Sequence, residues 1–122
     1  MTKVLIVEDE APIANAYKIV LEQAGCEVLV ANEAESGLHL AKSEKPDVIL
    51  LDIMLPNVNG LDMLKNLDIK KSLPHTRVIA LSNVESQEVV DEALSLGAAD
   101  FLRKVDFTPH QIVDIVKKYA PK

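Results

Sequence analysis

Five side chains in this sequence are of types that could share one reaction: the adjacent acids Glu8 and Asp9, then Asp52, Ser82 and Lys104. Each sits at or just past the end of a short apolar run, after Val4-Leu5-Ile6-Val7, Val48-Ile49-Leu50-Leu51, Val78-Ile79-Ala80-Leu81 and Phe101-Leu102 respectively. Three carboxylates brought to one spot repel one another and resist shared ionisation unless a cation sits among them. No Cys or His belongs to the group, so its ligands are all oxygens. Such a set suits a hard ion like magnesium, held by few protein ligands and several waters. An Asp beside that ion can act as a nucleophile toward phosphorus and carry an aspartyl phosphate. The metal would offset charge on the phosphoryl oxygens, and an ammonium and a hydroxyl, here Lys104 and Ser82, would hold the others.

That chemistry requires the five residues to meet, and the rest of the chain says how. Val4-Leu5-Ile6-Val7 is a continuous run rich in β-branched residues, the pattern of a strand buried on both faces. Pro12 suits the first turn of a helix whose inner positions are Ile13, Ala16, Tyr17, Val20 and Ala24, with Gly25 as its stop. Glu27 to Ala31 reads as a second strand. Asn32 with Glu35 reads as a capping box opening a helix with Ala34, Leu38 and Ala41 inward. Pro46-Asp47 breaks it, and the third strand runs into Asp52. A loop with Pro56, Asn57, Asn59 and Gly60 precedes a helix carrying Leu61, Leu64 and Leu67, and Pro74 ends that region. Arg77 to Ser82 is a fourth strand. Ser86 caps a helix with Val89, Val90, Ala93 and Leu94 inward and Gly97 at its end. Asp100 to Arg103 is a fifth strand, and Thr108-Pro109-His110-Gln111 opens a last helix bearing Ile112, Ile115, Val116 and Tyr119.

Five strands alternating with five helices predict an α/β fold: parallel strands joined by right-handed helical crossovers, with helices on both faces. Ligands in open α/β sheets bind at the C-terminal edge of the strands. All five candidate residues fall on that edge.

Composition agrees with one ordinary domain covering residues 1–122. Hydrophobic residues make up 48% and charged residues 26%, enough for a core and too apolar for a disordered chain. The net charge of -6 argues against direct binding to nucleic acid or anionic lipid. The pairs Lys70-Lys71 and Lys117-Lys118 read as solvated helix ends, and His39, His75 and His110 as surface residues. The single cysteine, Cys26, excludes an intramolecular disulfide and reads as a small core residue. No apolar stretch is long enough to span a membrane, and the N-terminus lacks a signal-peptide pattern, so a cytoplasmic location is expected.

The motifs also resemble a known family. Val4-Leu5-Ile6-Val7-Glu8-Asp9-Glu10 is similar to the opening of a bacterial two-component response-regulator receiver domain, with its magnesium-binding acidic pair. Asp52-Ile53-Met54-Leu55-Pro56 with Asn57-Val58-Asn59-Gly60 resembles the segment around the phosphorylated aspartate. Ala80-Leu81-Ser82 is similar to the strand ending in a switch Ser or Thr. The stretch Gly97-Ala98-Ala99-Asp100-Phe101-Leu102-Arg103-Lys104 is similar to the lysine segment. The resemblance runs from Lys3 to about Tyr119. It implies the flavodoxin-like doubly wound sheet of order 2-1-3-4-5, the order of the chemotaxis receiver. It makes Asp52 the phosphoacceptor, Asp9 the principal magnesium ligand with Glu8 assisting, and Met54 a ligand through its backbone carbonyl. Ser82 would bond a phosphoryl oxygen, Lys104 would pair with it, and Phe101 would change packing on activation. Such a domain takes a phosphoryl group from a sensor histidine kinase or phosphotransfer protein, catalysing its own phosphorylation and dephosphorylation rather than turning over as a conventional enzyme. An output domain or protein target, and homodimerisation on phosphorylation, stay open.

Three positions depart from the family pattern. Glu8 replaces the commoner Asp. Asn83 stands where a small residue such as Ala is more usual. Val105 follows Lys104 where Pro is usual, often after a cis bond; without Pro a trans bond is expected and the loop aiming Lys104 is expected to differ. The alternative function is a phosphorylation-independent interaction module of the same fold, to which Asn83 and Val105 lend support. A phosphohydrolase with an Asp nucleophile is weaker, since it needs a second acid where Met54 stands.

Overall fold

The structure, a computed structural model, describes residues 1–55, 59–83 and 86–121. Strands β1 (Lys3–Val7), β2 (Glu27–Ala31), β3 (Val48–Asp52), β4 (Arg77–Ser82) and β5 (Asp100–Arg103) form one sheet in the order β2-β1-β3-β4-β5, and every pairing is parallel. Helices α1 (Ala11–Gln23), α2 (Ala34–Glu44), α3 (Gly60–Leu67) and α5 (Gln87–Ser95) lie on the four crossovers, and α6 (Pro109–Tyr119) follows the last strand. Between α3 and β4 a single extra turn, α4 (Ile69–Ser72), resumes after Asp68 breaks the helix at a φ of 48°. Asp tolerates that left-handed conformation better than most residues. Lys104–Asp106 forms one 3₁₀ turn after β5.

The period-2 alternation of the strands divides the core into two layers. Leu5, Val7, Ile49, Leu51, Val78 and Ala80 face α2, α3 and α5, while Val4, Ile6, Val48, Leu50, Ile79 and Leu81 face α1 and α6. Every residue of β3 is buried. Each of its large apolar side chains contributes about 1.5–3 kcal/mol by leaving water, which anchors Asp52 at the end of a fully buried strand. At the opposite edge, the Thr76 hydroxyl donates to the Pro46 carbonyl at 2.6 Å and the Lys3 N–H to Asp47 Oδ2 at 2.8 Å.

The helix ends follow the expected chemistry in most places. Ser86 Oγ accepts from the Val89 N–H, Asn59 Oδ1 from the Asp62 N–H, and Thr108 and Gln111 form a reciprocal capping box. Gly25 and Gly97 take φ values of 92° and 108° just past α1 and α5. Two expectations fail. Asn32 and Glu35 form no capping box: α2 starts one residue later than that motif requires, with Glu33 at the N-cap and no side-chain cap. Leu94 does not face inward. Ala93 is the buried residue of α5, with Val89 and the C-cap Leu96 partly buried against the same core layer, and Leu94, about 100° around the helix from Ala93, is exposed.

Gly60 ties α3 to the site strand. Its N–H donates to the Ile53 carbonyl at 2.8 Å, and a Cβ there would lie 2.6 Å from Ile53 Cα and 2.7 Å from the Asp52 carbonyl oxygen. Both obstacles are backbone and cannot rotate away. Gly60→Ala is therefore expected to destabilise the fold by about 1–3 kcal/mol, read as a lower urea midpoint; an unchanged midpoint would show that α3 does not press on the Asp52 segment.

Candidate functional site

Parallel strands end at the same edge of the sheet, so the residues closing β1, β3, β4 and β5 become neighbours. Glu8 continues β1 through its N–H, which donates to the Ala31 carbonyl at 3.0 Å. Asp52 is the last residue of β3, and the following Ile53 N–H bonds the Leu81 carbonyl at 3.0 Å, holding the chain straight past the carboxylate. Ser82 closes β4 opposite Arg103. Lys104 follows β5 and begins the 3₁₀ turn.

Glu8 and Asp52 are buried, Asp9 is exposed, and one carboxylate oxygen from each lies within 4.8 Å of the others. The Lys104 ammonium reaches across from β5, 3.0 Å from both oxygens of Glu8 and 3.0 Å from Asp52 Oδ2. Asp52 Oδ1 accepts the Met54 N–H at 2.9 Å, so both carboxylate oxygens are held. The Met54 side chain points to solvent, 60% exposed. Ser82 is fully buried, and Phe101 is half-buried against the core layer beneath α2, α3 and α5. Of the residues marked in the sequence, Lys104 contacts Glu8 and Asp52 directly, and Asp9 brings a carboxylate oxygen within 4.8 Å of those two acids. Ser82 closes the strand next to Asp52's, and Phe101 lies farther back on β5, within the core layer. Pro56, Asn57 and Val58 lie outside the described residues.

The cluster is short of positive charge. Burial pushes the Glu8 carboxyl up and the Asp52 carboxylate adds to the effect; Lys104 pulls the other way without cancelling them, and the result is about 8. For Lys104, burial is the largest influence and pulls the ammonium down, but its bonds to Glu8 and Asp52 outweigh it and leave the value raised. Three oxygen acids against one ammonium form a donor set that a small divalent cation would relieve. The residues present therefore fit magnesium.

Two features escaped the sequence reading. Asn83 Oδ1 accepts the Val105 N–H at 3.1 Å, joining two residues 22 apart that had stood out only singly, as departures from a pattern. Tyr17, expected only as an inward position of α1, also lines a groove with Lys104, Val105 and Phe107 beside the site. Neither contact has a local signal, because both depend on which strand ends become neighbours. The Lys104–Val105 bond is trans, as expected without Pro.

Comparison with known proteins places this geometry. Residues 4–117 match the family model described as the response regulator receiver domain. The chemotaxis protein CheY of Thermotoga maritima is 37% identical over 121 residues, covering 97% of each chain. The alkaline phosphatase synthesis transcriptional regulatory protein PhoP of Bacillus subtilis is 35% identical over 115 residues, which is 94% of this chain and 47% of that one. This chain spans about half the length of the transcriptional regulators it matches. A CheY-like receiver domain protein of Methanospirillum hungatei superposes with a TM-score of 0.88 at 28% identity, covering 97% of this chain and 92% of that one.

The raised Glu8 value sets a pH dependence for the chain without divalent ions. Folded Glu8 holds its proton more tightly than the unfolded chain does, so its stabilisation is complete below about pH 4.5 and is lost as pH rises through about 8. Glu8→Gln is expected to remove that loss and raise the melting temperature at pH 8, in chelator, by about 5 °C. If wild type and variant show the same stability slope from pH 5 to 8, Glu8 is not the strained acid.

Proposed function

The chain belongs to the response regulator receiver domain family, and from that membership we propose that Asp52 accepts a phosphoryl group from a phosphohistidine or small-molecule donor. The observation that carries this reading is the meeting of Asp52 with Lys104, Glu8 and Asp9 at the end of the most buried strand. In the transfer an Asp52 oxygen forms the new bond to phosphorus as the donor's bond to phosphorus breaks, and the electron pair leaves with the donor. Magnesium, when bound, supplies the charge that offsets the phosphoryl oxygens; Glu8, Asp9, Asp52 and the Met54 carbonyl would hold it. The Met54 N–H fixes one carboxylate oxygen of Asp52, which limits the orientations the nucleophile samples. Lys104 Nζ is already beside Asp52 and pairs with an oxygen of the incoming group.

Ser82 is closed to solvent in this state, so its hydroxyl serves the phosphoryl group only after the end of β4 shifts. The added charge and acceptor oxygens at Asp52 favour that shift, to the extent that they interact better with the shifted state. Phe101, half-buried on the neighbouring strand, then repacks into the space released. The donor is a sensor histidine kinase or phosphotransfer protein. The receiver domain occupies residues 1–122, its compartment is the cytoplasm, and phosphorylation promotes pairing of two copies or engagement of an output domain. Among the described residues no helix is long and apolar enough to cross a membrane.

Incubation with acetyl phosphate and magnesium is expected to label the wild-type chain and to leave Asp52→Asn at least a hundredfold slower. Equal labelling of the two would refute Asp52 as acceptor. No labelling, together with no magnesium binding in a titration, would favour the interaction-module alternative. The phosphorylated state is expected to last minutes or longer without a phosphatase, because the Met54 side chain cannot orient an attacking water and neither can Val84, which lies outside the described residues. Decay within a second would contradict that.

A further inference from the structure

The ladder between β4 and β5 ends at the pair Ser82–Arg103, and Lys104 lies one residue beyond it. There the chain turns into the 3₁₀ segment Lys104–Asp106, which has no side-chain cap of its own at Arg103. The first N–H groups of such a turn have no partner within it. One of them, on Val105, is taken by Asn83 Oδ1 at 3.1 Å, from the residue directly after Ser82. A side chain thus supplies the next tie after the ladder stops, and Lys104 sits between the two ties. Only the pair of residues makes this possible: Ala at position 83 has no acceptor, and Pro at position 105 has no donor.

We propose that Asn83 is a positioning residue for Lys104, capping the Lys104–Asp106 turn from β4 so that the ammonium is held on Asp52 and Glu8. This rests on the phosphoacceptor reading for its consequence in catalysis. A lysine side chain loses much rotamer freedom when fixed, and its long stem magnifies any rotation at its own backbone. Fixing the Val105 N–H fixes the peptide plane that leaves Lys104, and with it the direction in which the stem starts. Asn83 and Val105 are themselves exposed, so forming their bond replaces bonds to water and adds little to global stability. Its effect is on aim.

The test measures phosphoryl uptake from acetyl phosphate with magnesium in four full chains: wild type, Asn83→Ala, Lys104→Ala and the double variant. Asn83→Ala is expected to slow uptake about tenfold in the wild-type background and less than twofold when Lys104 is already absent, with its melting temperature nearly unchanged. Equal slowing in both backgrounds, no slowing, or faster uptake would each overturn the proposal, the last by making Asn83 a barrier to the donor. Failure of the wild-type chain to take up phosphoryl would refute the phosphoacceptor reading instead. The Lys104 ammonium signal in nitrogen-15 correlation spectra then decides the positioning role: it is expected in wild type and lost in Asn83→Ala, and its persistence in the variant would overturn the assignment.

Discussion

Lys104 makes the contact on which the site depends, bridging Glu8 at the end of β1 and Asp52 at the end of β3 from its own place after β5. Two acids could not be kept this close and this buried without a compensating cation, since burying an unpaired charge costs several kcal/mol. The bridge is only partial compensation. Glu8 remains well above the usual carboxylate range even with the ammonium against both its oxygens. The pocket is held together by a charge it does not fully balance, and a further cation would relieve it.

The rest of the fold keeps that imbalance from relaxing. Burial of β3 on both faces and the inward press of α3 at Gly60 leave Asp52 no room to retreat into solvent. The strand edges do the same for Glu8, whose N–H is tied to β2. Asp9, one residue later, has left the sheet and is exposed, so neighbouring acids in sequence have opposite environments. The difference comes from where the β1–β2 ladder stops. Asp9 therefore offers its carboxylate at the surface while Glu8 and Asp52 are covered.

Packing is looser around Lys104 than around Asp52. β5 is an edge strand, its Phe101 is half-buried, and the turn beyond it is held by an exposed bond between Asn83 and Val105. The buried Asp52 and the half-buried Lys104 therefore come from the centre and from an edge of the sheet. The proposed phosphorylation switch would need both: a nucleophile that does not wander, and neighbours whose packing has two arrangements close in energy.

Much of this was legible in the sequence. Apolar runs of four or five residues can only be strands buried on both faces when helices of 3.6-residue period separate them, and parallel strands must present their C-terminal residues together. Glu8, Asp52, Ser82 and Lys104 were thereby assigned to one edge before any distance was known, and the Thr108–Gln111 capping box was visible from spacing alone. Local signals failed where two helix registers compete, as at Asn32 and Leu94, because a shift of one residue costs little locally and is decided by packing. They were silent on the bond between Asn83 and Val105. The residue types at the site were determined by the chain itself, through patterns within a few residues. How the Lys104 ammonium is shared, why Glu8 resists ionisation and what caps the turn at Val105 were decided only by tertiary structure, because each depends on distances between strand ends that no local spacing encodes.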